Sequence, residues 1–179
     1  MTRAVAGDLS TTIASAAAGG DVAFGRIVAA HHGEMVRICT AVSRDRTIAE
    51  EAVQAAWSIA WRKLGSLREP DRLRPWLIAV AVNEARKLLK KRTRRSEVEV
   101  STDATARPGG IDPATGIAII DLQKAMERLE PDDRALLALR YVAGFDATEL
   151  SSTIGLSPAG TRTRLKRLID RLRQDLSHG

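Results

Sequence analysis

The sequence predicts an all-α protein made of two small helical domains joined by a flexible linker, with a helix-turn-helix in the second domain. Apolar residues recur at helical spacing along most of the 179 positions, and no segment alternates apolar and polar residues as a strand does. Aromatic residues make up only 3%, so we expect cores built from Leu, Ile, Val and Ala. One segment near the middle lacks the apolar period, and it divides the chain.

The first domain is predicted to span residues 8–96 and to contain four helices. Asp21 follows the pair Gly19-Gly20 and stands where the N-cap of the second helix is expected. Pro75 suits the first turn of the fourth helix, because its missing N–H is not needed there. The predicted helices are Leu9–Ala18, a second from Val22 past Val42, Thr47–Leu64 and Trp76 to about Arg95, with a loop over Ser66–Arg74.

The linker is predicted over residues 97–116, which hold four acidic residues against one Arg and are rich in Ser, Thr, Pro and Gly. The second domain is predicted to span residues 117–176. In it, Pro131 opens a helix that ends at Gly144, as a helix C-terminus favours. The segment Asp-Ala-Thr-Glu at 146–149 then resembles a capping box, with Asp in the place of Ser or Thr.

The final helix, which starts at Ser157-Pro158, is the strongest candidate for DNA binding. A short helix over 146–155 precedes it, and two helices joined by a tight turn form a helix-turn-helix, whose second helix enters the major groove. Arg can read guanine there, and Thr and Lys contact phosphates. The alternative is a solvated basic face. We expect Leu165, Leu168, Ile169, Leu172 and Leu176 to pack inward, and Thr161, Thr163, Arg164, Lys166 and Arg167 to face solvent.

A second candidate is the run RKLLKKRTRR, Arg86–Arg95, in which seven of ten residues are basic. The net charge is +6, and the excess lies in residues 1–96, with 17 Lys and Arg against 9 Asp and Glu. Such a surface neutralises a phosphate backbone. The alternative is a basic helix end that complements its own macrodipole, for which one or two cations suffice. The density of the run favours nucleic acid.

The three tryptophans and one asparagine leave two interpretations open. Spacing alone favours a core position for Trp57, Trp61 and Trp76, although an exposed Trp beside basic residues is also suited to stacking on an unpaired base. Asn83 lies within an apolar stretch and offers donors and an acceptor to a base edge. It is equally compatible with a surface position.

The sequence lacks the motifs that are typical of several classes of function. There is no glycine-rich phosphate loop, metal-ligand spacing or nucleophile elbow, and the single Cys39 with three His provides no zinc set. We therefore expect no catalysis, no metal and no cofactor. No run of 18 apolar residues is present, and the first twenty residues lack the apolar core of a signal peptide. We expect a cytoplasmic protein without a membrane partner.

Four segments, taken in order, resemble a known family. They are GDVAFGRIV at 20–28, AEEAVQAAW at 49–57, RPWLIAVAVNEARKLLKKRTRR at 74–95, and the long segment from Leu129 to Leu168 that contains the helix-turn-helix. Together they resemble bacterial RNA polymerase sigma factors of the extracytoplasmic-function type, group IV of the sigma-70 family. The resemblance covers nearly the whole chain.

This resemblance implies a function and partners. A protein of this type binds core RNA polymerase, through the β′ clamp helices and the β flap, and directs initiation at the minus-ten and minus-thirty-five promoter elements. It also implies restraint by an anti-sigma factor or another regulator. The implied polymerase contacts are Glu51, Gln54 and Trp57, and the implied DNA contacts are Asn83, Arg86, Lys87, Lys90, Lys91, Arg92, Thr161, Arg162, Arg164, Lys166 and Arg167.

The resemblance also implies that Asn83 captures a flipped base, with Leu67 beside it. The chain departs from the family at two positions. Ala55 stands where an acidic residue is common, and the Val of the family's Gly-Thr-Val is placed at Arg162, on the face of the leucines. We expect Arg162 either to reach out to a phosphate or to cost packing.

Three other functions remain open from the residues alone. A transcriptional regulator that binds duplex DNA through residues 132–176 without polymerase explains the second domain only. A protein-interaction module would bind an acidic partner with its basic helices. A DNA recombinase with a C-terminal helix-turn-helix is disfavoured by the lack of strands.

Overall fold

The computed structural model describes residues 2–98, 124–126 and 128–177, with side chains described from residue 9 to 95 in the first stretch. Within these ranges every regular element is helical and no strand occurs, so the all-α prediction is confirmed. The chain divides into two compact units, Met1–Arg92 and Thr93–Gly179. The predicted domain bounds, 8–96 and 117–176, stay predictions.

The first unit contains four α-helices and two short 3₁₀ turns. Two predicted bounds are wrong. The first helix begins well before Leu9, and the predicted loop contains 3₁₀ turns and the start of the fourth helix. The elements are α1 Thr2–Ala17, α2 Asp21–Ser43, α3 Arg46–Lys63, 3₁₀ turns at Leu64–Ser66 and Pro70–Arg72, and α4 Leu73–Val98. Residues 97 and 98 of the predicted linker are therefore helical, and residues 99–116 lie outside the described residues.

The helix caps of this unit differ from the sequence prediction. The N-cap of α2 is Gly20, with no side-chain hydrogen bond, and Asp21 is the first helical residue, so the prediction for Asp21 is wrong. A Cβ atom on Gly20 would approach the Ser15 backbone oxygen to 2.8 Å, which explains the glycine. The cap of α3 is Asp45, whose side chain accepts hydrogen bonds from the N–H groups of Thr47 and Ile48.

The core of the first unit is aliphatic and rich in alanine, as the composition predicts. The small side chains of Ala52, Ala56 and Ala81 are fully buried, which allows close helix packing. The core prediction for the tryptophans is wrong: Trp61 is 42% exposed, and Trp57 and Trp76 are only half-buried. Their size exceeds the space between helices that pack through alanine.

The second unit contains the predicted helix-turn-helix. Residues 124–126 are helical, whereas the predicted helix start at 117 lies outside the described residues. The helical segment that Pro131 opens continues through a π-helical turn and ends at Val142, so the predicted end at Gly144, which has a φ of 76°, is two residues late. The elements are α5 Pro131–Leu137, a π-helical turn at Ala138–Val142, α6 Ala147–Ile154 and α7 Pro158–Ser177.

The core of the second unit includes Leu136, Leu139, Phe145, Leu150 and Leu168, all buried. The predicted leucine face of the final helix is only partly correct. Leu168 is buried, three others of the five are half-buried, and Leu176 is 42% exposed. The last turns of the final helix thus extend beyond the core.

Candidate nucleic-acid interface

The basic run of α4 lies mostly in solvent. Arg86 is half-buried, whereas Lys87, Lys90, Lys91 and Arg92 are exposed. Lys87 Nζ lies 2.7 Å from Glu84 Oε1, one turn earlier. Such an exposed pair is weak, so it does not prevent the lysine from turning to a phosphate. The two leucines of the run, Leu88 and Leu89, are half-buried.

Asn83 and Arg86 form one unit on α4. Arg86 Nη1 donates to Asn83 Oδ1 over 3.0 Å, between two half-buried side chains. Because the guanidinium only donates, the amide oxygen must face it. The amide nitrogen of Asn83 therefore points the other way, with two hydrogens to offer. Such a group is suited to an acceptor on a base edge.

Arg92, in the second half of the same run, is held by Asp45. Arg92 Nη1 donates to Asp45 Oδ2 over 2.8 Å, while Oδ1 accepts from the N–H groups of Thr47 and Ile48. Partial burial acts to raise the pKa of the Asp45 carboxyl, but these hydrogen bonds outweigh it, and the pKa lies below its usual value. The arginine is thus engaged within the protein.

The helix-turn-helix is built from local caps. Asp146 and Glu149 form a complete capping box, as predicted: the carboxylate accepts from the Thr148 and Glu149 N–H groups, and Glu149 accepts from the Asp146 N–H. Gly155, at a φ of 78°, ends α6 in the left-handed region that glycine favours. Ser157 Oγ accepts a hydrogen bond from the Gly160 N–H at 3.1 Å, and α7 begins at Pro158, which confirms the predicted start of this helix.

The exposed side of α7 carries a basic ridge, which we define as Arg162, Thr163, Lys166 and Arg167; all four are exposed. The solvent-facing prediction for Thr161 is wrong, since it is 1% exposed and its Oγ1 is buried without a hydrogen-bond partner. Arg162 reaches solvent, and it costs no packing.

Arg164 lies between the ridge and the buried face. Its Nε donates to Asp133 Oδ1 over 2.7 Å, and the two side chains are 37% and 13% exposed. The expectation that Arg164 points away from the core into solvent is thus wrong. Asp133 belongs to the first turn of α5. The hydrogen bond therefore joins α5 to α7 through two residues that are 31 positions apart in the chain.

The implied polymerase contacts share part of one surface on α3. Glu51 and Gln54 are exposed, and Trp57 is half-buried. The Trp57 indole donates to His32 Nδ1 over 3.2 Å and packs edge-on against Phe24, with 5.8 Å between ring centroids. The exposed Trp61 also packs edge-on against Phe24, with 4.8 Å between ring centroids. It lies two turns after Gln54, on the same side of α3.

Sequence reasoning missed Trp61, Asp45 and Asp133 as residues of these surfaces. An N-cap pattern was available for Asp45, which stands two positions before Thr47. Nothing in the sequence links Asp133 to Arg164, since helical periodicity relates only residues of one helix. Leu67, expected beside Asn83, is half-buried in the segment between the 3₁₀ turns.

With this geometry established, the chain can be compared with known proteins. Residues 27–95 match the family description Sigma-70 region 2, and residues 119–172 match Sigma-70, region 4. The chain belongs to the sigma-70 family. It belongs to the extracytoplasmic-function group of sigma factors. The basic α4 run lies within the region 2 match, and the helix-turn-helix lies within the region 4 match.

Individual sigma factors resemble the chain along most of its length. The probable RNA polymerase sigma factor RfaY of Xanthomonas campestris pv. campestris is 33% identical over 168 residues, which are 90% of this chain and 42% of that protein. The chain therefore spans less than half the length of RfaY. The sigma factor CarQ of Myxococcus xanthus is 29% identical over 160 residues, covering 87% of this chain and 90% of CarQ.

Two solved structures share the fold. The sigma factor RpoE, in complex with the anti-sigma factor NepR from Bartonella quintana, has a TM-score of 0.71 at 21% identity, covering 86% of this chain and 96% of RpoE. CnrH, in complex with the cytosolic domain of CnrY, has a TM-score of 0.67 at 23% identity, covering 94% of this chain and 96% of CnrH.

The described part of this sigma factor lacks two features. No helix there is long and apolar enough to cross a bilayer. No cluster of three or more His, Cys, Asp or Glu side chains suited to a metal ion occurs in the same part of the chain.

Proposed function

We propose that this sigma factor divides its task between three surfaces: α3 binds core RNA polymerase, α4 opens and holds the minus-ten element, and α7 reads the minus-thirty-five element. The observation that carries this proposal is the position of the basic run and the basic ridge inside the region 2 and region 4 matches. Each surface is exposed in its own unit. We place the protein in the cytoplasm, and the roles of the three surfaces need neither catalysis nor a cofactor.

The minus-ten role of α4 rests on Asn83 and the cations around it. Separating a base from its partner costs a few kcal/mol, so its capture has to supply compensating contacts. The amide nitrogen of Asn83 is oriented by Arg86 and offers donors to a base, while Lys87, Lys90 and Lys91 lie in solvent to neutralise phosphates. Arg92 contributes only after its bond with Asp45 is exchanged for a phosphate.

The minus-thirty-five role of α7 rests on the basic ridge. Arg162 and Arg167 are exposed on the helix that follows the tight turn, which in a helix-turn-helix lies in the major groove. Arg forms two hydrogen bonds with guanine, and Lys166 and Thr163 suit phosphate or base contacts. Thr161 is excluded from this surface because it is buried.

The polymerase role of α3 rests on Glu51, Gln54 and Trp57, to which we add Trp61. An exposed indole at the end of a polar helix face provides the large apolar contact that interface hot spots commonly use. The β′ clamp helices are the proposed partner of this face, and the β flap that of the second unit. An anti-sigma factor is a further proposed partner, since RpoE, which shares the fold, forms a complex with the anti-sigma factor NepR.

The decisive experiment combines purified core RNA polymerase with the full chain on genomic DNA and maps transcript start sites. New start sites that share sequence elements about ten and thirty-five positions upstream are the expected result. A chain that binds duplex DNA alone but never associates with polymerase would instead be a conventional regulator, and the proposal would be wrong.

A further inference from the structure

The first turns of α7 bury few of their side chains. Among residues 158–167, all described, Thr161 is the one buried side chain. Its hydroxyl is buried without a hydrogen-bond partner, so this contact stabilises less than an apolar group of the same shape would. Leu168, which is 4% exposed, and the half-buried Leu165 fix the general direction of this face, so the finer rotation of the first turns depends on the polar contacts beside it.

The Asp133–Arg164 ion pair joins these first turns of α7 to α5. At 3.6 residues per turn, Arg164 lies about 60° around the helix from Thr161, on the flank of the buried face. Its Nε is bonded at 2.7 Å to a carboxylate that is only 13% exposed. A charge-assisted hydrogen bond in such surroundings is directional and stronger than one in open solvent.

We propose that Asp133 and Arg164 form a brace that sets the rotation of α7 and thereby aims the basic ridge at DNA. In this proposal, which rests on the proposed function of α7, Arg164 is a positioning residue and not a base reader. Arg162, Lys166 and Arg167 lie about 100° or more from Thr161, on the exposed side. They are the residues whose direction the brace controls.

A small rotation of α7 moves the ends of its side chains by several ångströms. A side chain on a helix ends about 6 Å from the axis, so a rotation of about 30° displaces its tip by about 3 Å. Hydrogen bonds to a base edge tolerate only a few tenths of an ångström before they weaken. Loss of the brace therefore reduces the distinction between bases more than it reduces attraction to phosphates, which has little dependence on direction.

The test uses the full chain with core polymerase on promoters whose minus-thirty-five element is randomised. The variants are Asp133→Ala, Arg164→Gln and both together, with Arg171→Gln as the matched control, since Arg171 is exposed on the same helix. We expect each brace variant to reduce the preference between best and worst sequences at least three-fold, at several positions at once. The double variant should be no worse than the single ones, and the control should keep the normal preference.

A stability control separates orientation from folding. Adding Thr161→Val to Asp133→Ala replaces the buried hydroxyl with a methyl group and should restore the melting temperature without restoring base preference. Recovery of both would overturn the brace, because the pair would then act only through stability. A change at one base position in Arg164→Gln alone would overturn it too, since Arg164 would then read that base.

The free chain gives a result that does not depend on polymerase. In a double-mutant cycle on unfolding, the effects of Asp133→Ala and Arg164→Gln should be clearly non-additive. Additive effects would overturn the brace even if the transcription experiments succeed. If the wild-type chain fails to initiate transcription, the proposed function is wrong, and a non-additive cycle would still support the brace as the contact that orients α7.

Discussion

The Asp45 carboxylate caps the start of α3 and at the same time binds Arg92, 47 positions later on α4. One oxygen accepts from the Thr47 and Ile48 backbone, and the other accepts from the guanidinium. A helix cap and the basic run are thereby joined through a single side chain. The stability of the first unit and the availability of Arg92 for DNA are consequently coupled.

Replacing Asp45 with Ala should destabilise the first unit. Loss of an N-cap side chain costs about 0.5–2 kcal/mol, and the loss of the ion pair with Arg92 adds to this. Chemical denaturation of the full chain measures the change. Asp21→Ala is the matched control, because Asp21 follows the cap of its helix and makes no capping bond. An equal loss in the two variants would contradict the role of Asp45.

The stabilising effect of Asp45 should depend on pH. The folded pKa is lower than the unfolded one, so this contribution is fully present above the unfolded value, about 3.9, and is lost as the pH falls through the folded value. The difference in unfolding free energy between wild type and Asp45→Asn should therefore shrink in acid, below about pH 4. Denaturation between pH 6 and pH 3 measures it, and a constant difference would contradict the lowered pKa.

Replacing Lys90 and Lys91 with Ala should weaken the binding of promoter DNA evenly across sequences. Each lost phosphate contact is expected to reduce the salt slope of log K by about 0.9 for duplex DNA and about 0.7 for a single strand. Holoenzyme binding at several salt concentrations measures the slope. Arg26 and Lys63, exposed on α2 and α3, provide a matched double variant whose slope should not change. An unaltered slope in the first variant would exclude phosphate contact there.

Gln54→Ala should reduce the affinity for core polymerase without affecting folding. The side chain is exposed, and surface substitutions of this kind usually change stability by less than about 0.5 kcal/mol. Titration of labelled chain with core polymerase measures the affinity. Lys63→Ala, on the same helix but another side, should bind normally. If Gln54→Ala also binds normally, the α3 surface is assigned wrongly at this position.

Thr161→Val should raise the free energy of unfolding by about 1 kcal/mol, since it removes a buried hydroxyl that lacks a partner and keeps the shape of the side chain. Thermal and chemical denaturation measure the gain. Thr163→Val, two positions later and exposed, is the control and should change little. A loss of stability in Thr161→Val would show that the hydroxyl finds a partner in solution.

The local elements were largely predictable from the residues. The capping box at Asp146 and the start of α7 at Pro158 both follow from side chains that bond their own neighbours, and such signals can be read along the chain. The cap of α2 was misassigned because Asp21 has the right residue type. The close approach of Ser15, which only the folded chain brings there, requires glycine at position 20.

The candidate surfaces were predictable in composition but not in orientation. The basic character of α4 and α7 is visible in the sequence, and so is the order of motifs that resembles a sigma factor. Burial of Thr161 and exposure of Trp61 were not predictable from spacing, because both depend on how closely neighbouring helices approach.

By itself, the sequence determined that this protein is helical, that it holds two basic helices in separate segments and that it resembles sigma factors. Helical period, caps and charge are local properties, so they need no knowledge of the fold. Only the tertiary structure decided which arginines are engaged, Arg92 with Asp45 and Arg164 with Asp133. These pairs join residues far apart in the chain, and a contact of that kind exists only once the helices have packed.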